Sequence, residues 1–206
     1  MSLTPDLLEL CYRNGAFPMA DACGGGVQMY RADPRAVLEL DELHVSRSLA
    51  RTIRGGRYET RVDEDFEAVI RSCAEHRPER RETWINAEII DAFLGLHERG
   101  LAHSVEAYRH EELVGGLYGV TLGGAFMGES MFSRERDASK VCLYHLVERL
   151  RERGFVLLDC QIQNDHMQSL GAREISETEY LERLRRALAL ERSFAQRRPD
   201  SSGGSA

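Results

Sequence analysis

LVGGLYGVTL at residues 113–122, AFMGESMF at 125–132, ASKVCLYHLVERLR at 138–151 and FVLLDCQ at 155–161 follow one another through the middle of the chain. The first two are apolar, rich in glycine and too short between turn residues to be helices, so they predict strands. The third places Ala138, Val141, Cys142, His145 and Leu146 on one stripe at helical spacing. The fourth predicts a buried apolar strand. With an alternating strand expected at Ser104–Arg109, the series predicts an α/β (α+β) fold built on a mixed, largely antiparallel sheet flanked by helices.

Working outward, residues 3–14 predict a short helix, with Thr4 as its cap and Pro5 at its first position. Gly15-Ala16-Phe17-Pro18 ends it, Gly24-Gly25-Gly26 is a loop, and Val27–Tyr30 is extended. Ser46–Arg54, Phe66–Ala74, Ile85–Arg99 and Glu177–Leu190 predict further helices, with Phe66, Val69, Ile70 and Cys73 inward on the second. His76–Glu82 is polar and loop-like. The expected organisation is a small N-terminal lobe (1–37), a catalytic domain (38–193) and a flexible tail (194–206) that ends in Ser/Gly-rich sequence.

The 206 residues are 42% hydrophobic and 30% charged, with a net charge of −7. That is a core-forming chain and not a basic nucleic-acid coat, so any RNA contact must be a local patch. Arg47, Arg51 and Arg54 share one face of the helix expected at 46–54, and Arg57 follows; a solvated helix face and an RNA contact both fit the spacing. Five cysteines without a C-x-x-C pair suggest neither a disulfide framework nor a zinc site. With no leader pattern and no apolar run of membrane length, the expected location is cytoplasmic.

Three polar residues stand in apolar strands. Asp159 and Gln161 are two apart, so an acid and an amide should share one strand face. Structurally this could equally be a buried acid capping a loop. Glu129 lies among Phe126, Met127, Met131 and Phe132, where a carboxylate is costly unless paired. Arg134 or Lys140 could pair with it, or a substrate group could. Gly115, Gly116 and Gly119 suit either a ligand channel or, more simply, close packing. His97, His103 and His145 show no metal-ligand spacing, and His145 is expected in the core.

Several strings, taken in order, resemble the bacterial leucyl/phenylalanyl-tRNA–protein transferases. They are Gly15-Ala16-Phe17-Pro18, Asp33-Pro34-Arg35, Thr83-Trp84-Ile85, Leu113–Val120, Gly128–Ser133, Ala138-Ser139-Lys140, Asp159-Cys160-Gln161 and Ser169–Ala172. The resemblance implies an acetyltransferase-like catalytic domain and the transfer of leucine, and also phenylalanine or methionine, from its tRNA to proteins beginning with Arg or Lys, which then enter N-end-rule degradation. It implies Asp159 and Gln161 as a catalytic pair and Glu129 as the residue that holds the reacting groups. It also implies Trp84 and Phe126 at the aminoacyl-adenosine, Leu117, Leu143, Leu146 and Leu150 around the amino acid, and Arg47, Arg51, Arg54 and Arg57 at the tRNA. Where the family commonly has a tryptophan pair before Asp-Pro-Arg, Tyr30 stands here as the aromatic substrate-binding candidate.

The implied chemistry is aminolysis of an activated ester, for which Asp159 could orient the amine or take its proton. It calls for no metal and no organic cofactor, and no membrane partner is expected. An acyl-CoA-dependent N-acetyltransferase and a non-catalytic tRNA-binding module are the alternatives. The first normally carries a glycine-containing pyrophosphate turn, whereas Ser133–Lys140 has no glycine.

Overall fold

The computed structural model describes residues 3–20, 26–75 and 83–195. The loops expected at Gly24-Gly25 and His76–Glu82 and the Ser/Gly-rich end lie outside the described residues. Helix α1 (Pro5–Arg13) begins where the Thr4 hydroxyl accepts the Leu7 N–H at 3.2 Å, with proline at the first turn. Strands β1 (Phe17–Ala20) and β2 (Val27–Tyr30) pair antiparallel, although the sequence of β1 reads only as a break. Next come β3 (Arg35–Leu38), α2 (Arg47–Arg54), β4 (Glu59–Val62), α3 (Phe66–Ala74) and α4 (Ala87–Glu98). Ser46, Asp65 and Asn86 accept the first free N–H groups of these three helices. Each such cap stabilises its helix by about 1 kcal/mol.

Strands β5 (Ala102–Arg109), β6 (Glu112–Leu122) and β7 (Ala125–Ser133) form an antiparallel meander. Helix α5 (Ala138–Glu152) then crosses over to β8 (Leu157–Gln161), which runs parallel to β7. Asp137, the residue before α5, makes no capping bond; the Ser133 hydroxyl, six residues back, accepts the Ser139 N–H at 3.2 Å instead. Short α6 (Asp165–Ser169), β9 (Arg173–Ile175) and α7 (Glu177–Leu188) complete the chain. The seven-stranded sheet runs β4-β5-β6-β7-β8-β3-β9, with β7·β8 its parallel pair and the other pairs antiparallel. It is therefore mixed and largely antiparallel, in agreement with the sequence reading.

Helices cover both faces of the sheet. A Cβ added at Gly115 would stand 2.5 Å from Ala138 of α5, and one at Gly116 would stand 3.1 Å from Val69 of α3. Adjacent strand residues point to opposite faces, so these two glycines let a helix approach on each side. Packing, not a channel, accounts for them. The same double cover leaves β5 buried from Ala102 to Tyr108, where a half-exposed alternation was expected. One core cluster joins Leu8, Tyr12 and Phe17 of the N-terminal segment to α3, α4, β6 and α7, and the second is built around α5. The expected boundary after residue 37 falls inside β3, where Val37 pairs with Asp159. Phe194, at the start of the expected tail, is buried against Phe126 and Phe155.

Candidate active site

The parallel pairing of β7 with β8 is short. It joins Ala125–Met127 to Leu157–Asp159 and ends there, while β7 continues along β6 past an irregularity between Tyr118 and Gly119. Beyond Met127 and Asp159 the two strands part, and a cavity of about 780 Å³ opens beside them. Drug-sized ligand sites occupy about 300–1,000 Å³. Leu117, Phe126, Met131, Leu143, Leu146 and Leu158 make its apolar wall. Trp84, Glu129, Ser130, Asn164, Asp165 and His166 bring the polar and aromatic groups.

Glu129 and Gln161 each stand two residues past the last paired position, and they close the fork between the strands. Gln161 Nε2 donates to Glu129 Oε1 at 2.6 Å, so the partner of Glu129 is this amide and neither Arg134 nor Lys140. Arg134 instead donates to the Leu113 carbonyl and pairs with Glu75. The other carboxyl oxygen, Oε2, is buried without a well-aligned partner, and the Tyr12 hydroxyl faces the same carboxyl. Burial pushes the Glu129 carboxyl up to about 8, with the charge of Asp159 adding to the rise; Tyr12, Arg35 and the Gln161 amide oppose it. The group is therefore mostly protonated at neutral pH.

Asp159 is fully buried. Arg35 grips both its oxygens, Nε to Oδ1 at 2.8 Å and Nη2 to Oδ2 at 2.7 Å. Tyr180 donates to Oδ2 at 2.8 Å, and the Gln161 backbone N–H donates to Oδ1 at 2.9 Å. The expected shared face of Asp159 and Gln161 is thus modified. Gln161 has φ +63°, which turns the backbone out of the extended form, so Asp159 meets the Gln161 main chain while the amide side chain swings to Glu129. Arg35 itself is 1% exposed. Burial opposes its charge, but the Asp159 carboxylate more than offsets this and holds it protonated.

The structure brings Trp84, Leu117, Phe126, Glu129, Leu143, Leu146 and Asp159 together at the cavity, while Gln161 is not among the lining residues and meets the site through its bond to Glu129. Leu150 does not join them: one turn beyond Leu146, it is wholly buried in the core under α5. Tyr30 lies away from the cavity on β2, half exposed, with its hydroxyl on Gln28 at 3.5 Å. Arg47, Arg51, Arg54 and Arg57 are exposed, and the first three form no ion pair among the described residues. Arg57 pairs with Glu135 at 3.0 Å. His145 is half-buried at the edge of α5, not in the core, and burial lowers its pKa. His103 pairs with Asp63 at 2.7 Å, and no group of metal-ligating side chains occurs among the described residues. Sequence reasoning does not single out Arg35, Tyr180, Tyr12, Asn164 or His166 as site residues. For Arg35 the only signal is the Asp33-Pro34-Arg35 string, because its partner is 124 residues away.

Comparison with known proteins bears on this arrangement. A family model described as leucyl/phenylalanyl-tRNA protein transferase matches residues 37–185, and one for the N-terminal domain of the same proteins matches residues 1–28. A leucyl/phenylalanyl-tRNA–protein transferase of Rubrobacter xylanophilus is 68% identical over 196 residues, covering 95% of this chain and 100% of the relative. One from Gloeobacter violaceus is 52% identical over 194 residues, covering 94% of this chain and 98% of the relative. Among solved structures, L-PGS from Bacillus licheniformis aligns at a TM-score of 0.43 and 13% identity, over 74% of this chain and 56% of that one.

Proposed function

Since the chain belongs to the leucyl/phenylalanyl-tRNA–protein transferase family, an aminoacyltransferase family, we propose that the cavity between β7 and β8 holds the aminoacyl end of a charged tRNA, with Glu129 and Gln161 at the reacting ester. The donor is leucine, phenylalanine or methionine, and the acceptor is a protein or peptide beginning with Arg or Lys, which the added residue marks for N-end-rule degradation. The observation that carries this reading is the cavity itself: a leucine-lined wall that ends, where the strands part, at the Glu129 carboxyl, which the Gln161 amide holds from outside the cavity lining.

The chemistry asked of the site is modest. The acceptor's α-amine forms a bond to the ester carbonyl carbon, the bond from that carbon to the ribose oxygen breaks, and the amine's proton ends on the ribose hydroxyl. The ester is already activated, so holding amine and carbonyl in line supplies much of the rate, on the order of 7–11 kcal/mol for ideal orientation. Leu117, Leu143 and Leu146 would seat the amino-acid side chain, and Trp84 would stack on the terminal adenosine. Arg47, Arg51, Arg54 and Arg57 would meet tRNA phosphates, a local basic face on an acidic protein. On this reading the 1–37 segment supplies Tyr12 and Arg35 to a site otherwise built by residues 38–193. Labelled leucyl-tRNA and an Arg-starting peptide test it directly. Transfer to that peptide, and not to the same peptide with an acetylated N-terminus, is the expected result; no transfer to either would sink it.

A further inference from the structure

The turn Gly15-Ala16-Phe17-Pro18 and the string Asp33-Pro34-Arg35 contribute nothing to the cavity wall, yet they converge behind it. Arg35 Nη1 donates to the Gly15 carbonyl at 2.9 Å. Its guanidinium lies 4.7 Å from the Phe17 ring centre and 4.4 Å from that of Tyr180. Its remaining edge forms the fork on Asp159. Asp159 is equally committed. Two carboxylate oxygens offer about four lone-pair sites, and Arg35 Nε, Arg35 Nη2, the Tyr180 hydroxyl and the Gln161 N–H fill them.

We propose that Arg35 is a positioning residue for the transfer reaction: by saturating Asp159 it pins the Gln161 main chain in its left-handed turn and so aims the Gln161 amide at Glu129, while Asp159 exchanges no proton with substrate. The proposal rests on reading the Glu129–Gln161 edge as the reacting end of the cavity. A non-glycine residue at φ +63° is held there only when its surroundings over-determine it. Here the N–H of Gln161 is fixed by Asp159 and its side chain by Glu129. The proton leaving the attacking amine meets no open lone pair on Asp159. It meets the Glu129 carboxyl, whose Oε2 lacks a well-aligned partner and which, in its ionised form, can take the proton and pass it to the departing ribose oxygen.

The ionisable groups facing Asp159 and Glu129 are Tyr12 from α1, Arg35 from β3, Tyr180 from α7 and Cys160 from β8, and Tyr118 from β6 with Asp165 and His166 from α6 line the same cavity. Burial raises the Tyr12 and Tyr180 phenols and the Cys160 thiol, Arg35 stays charged, and burial lowers the His166 imidazole below its ordinary value. A rising limb in the pH–rate profile above about pH 7 then reports Glu129 and the acceptor's own amine.

Single-turnover leucyl transfer, measured from about pH 6 to 9, separates positioning from proton transfer in Arg35→Lys, Asp159→Asn and the double variant Arg35→Met/Asp159→Asn. Arg35→Lys keeps the charge and loses the fork. It should lower kcat on the order of 10²-fold, the scale of a misplaced group, with KM for both substrates within about twofold. Asp159→Asn should scale the profile down and keep its rising limb, moved to lower pH because the charge of Asp159 no longer raises Glu129. The double variant, which leaves no lone buried charge, keeps a folded protein in hand if the single variants melt, and should be no slower than either of them. Wild-type kcat in Arg35→Lys, or in a folded double variant, would overturn the assignment and leave Arg35 purely structural. Loss of the rising limb in Asp159→Asn would make Asp159 the proton acceptor. Wild-type protein that transfers no leucine would instead sink the functional reading, and this proposal with it.

Discussion

Glu129→Gln should make the protein's stability less dependent on pH, by an amount that follows from the burial of one carboxyl. In the unfolded chain Glu129 ionises around its ordinary value of 4.5; in the fold, burial moves that to about 8. Between those values the native protein keeps a proton that the unfolded chain has lost. Stability linked to a raised pKa is fully present below the unfolded value and is lost as pH rises through the folded one. Glu129 therefore costs the native state about 1.4 kcal/mol for each pH unit climbed inside the window. From about pH 5.5 to 7.5 the loss amounts to roughly 2.7 kcal/mol. Glutamine keeps the shape and an oxygen to accept Gln161 Nε2, now at 2.6 Å, but carries no proton to lose. Urea unfolding of both proteins at half-unit steps should show the wild type weakening relative to Glu129→Gln by about that amount, with unchanged m-values. A stability difference that stays constant across the window would refute the reasoning, since it would mean that Glu129 titrates alike in both states.

The cavity wall makes Leu146→Phe a test of donor choice: the added ring bulk should penalise phenylalanyl- more than leucyl-tRNA in kcat/KM, in a graded way on the scale of about 1–3 kcal/mol, and equal effects on all donors would show that Leu146 only supports the fold. Arg51→Ala with Arg54→Ala should weaken tRNA binding and reduce the slope of log K against log salt by about 0.7–0.9 for each phosphate no longer neutralised, which a salt titration of binding measures. Gly119→Ala should destabilise the protein by about 1–3 kcal/mol, the range for overpacking a filled core, because its Cβ would crowd the Met127 carbonyl oxygen and the Phe126 ring; a thermal melt within error of wild type would contradict this.

What can be read from the sequence is local. Phe66–Ala74 is delimited as it stands in α3 because the cap and the inward stripe of Phe66, Val69, Ile70 and Cys73 both lie within nine residues. The central strands and α5 are legible for the same reason, and with them the mixed sheet. β3, β4 and β9 are not, for they are three or four residues long and include charged side chains. Their state is set by partners: Arg35 faces Ile175, and Glu59 faces Tyr108, in pairings that no window of sequence contains.

The site divides along the same line. Asp159, Gln161 and Glu129 stand out because a polar group in an apolar strand costs several kcal/mol unless it is matched, a penalty visible from the strand alone. The matching is not visible. Arg35, 124 residues before Asp159, is brought to it by the insertion of β3 beside β8, and Tyr180 reaches the same carboxylate from α7. That closure fills the lone pairs of Asp159 and leaves Glu129 buried and half matched, with burial raising its carboxyl to about 8. Leu150 belongs to the same periodic stripe as Leu143 and Leu146 yet lies in the core. Periodicity states which face of a helix turns inward; only the parting of β7 from β8 decides which turn of that face meets a cavity and which meets packed side chains.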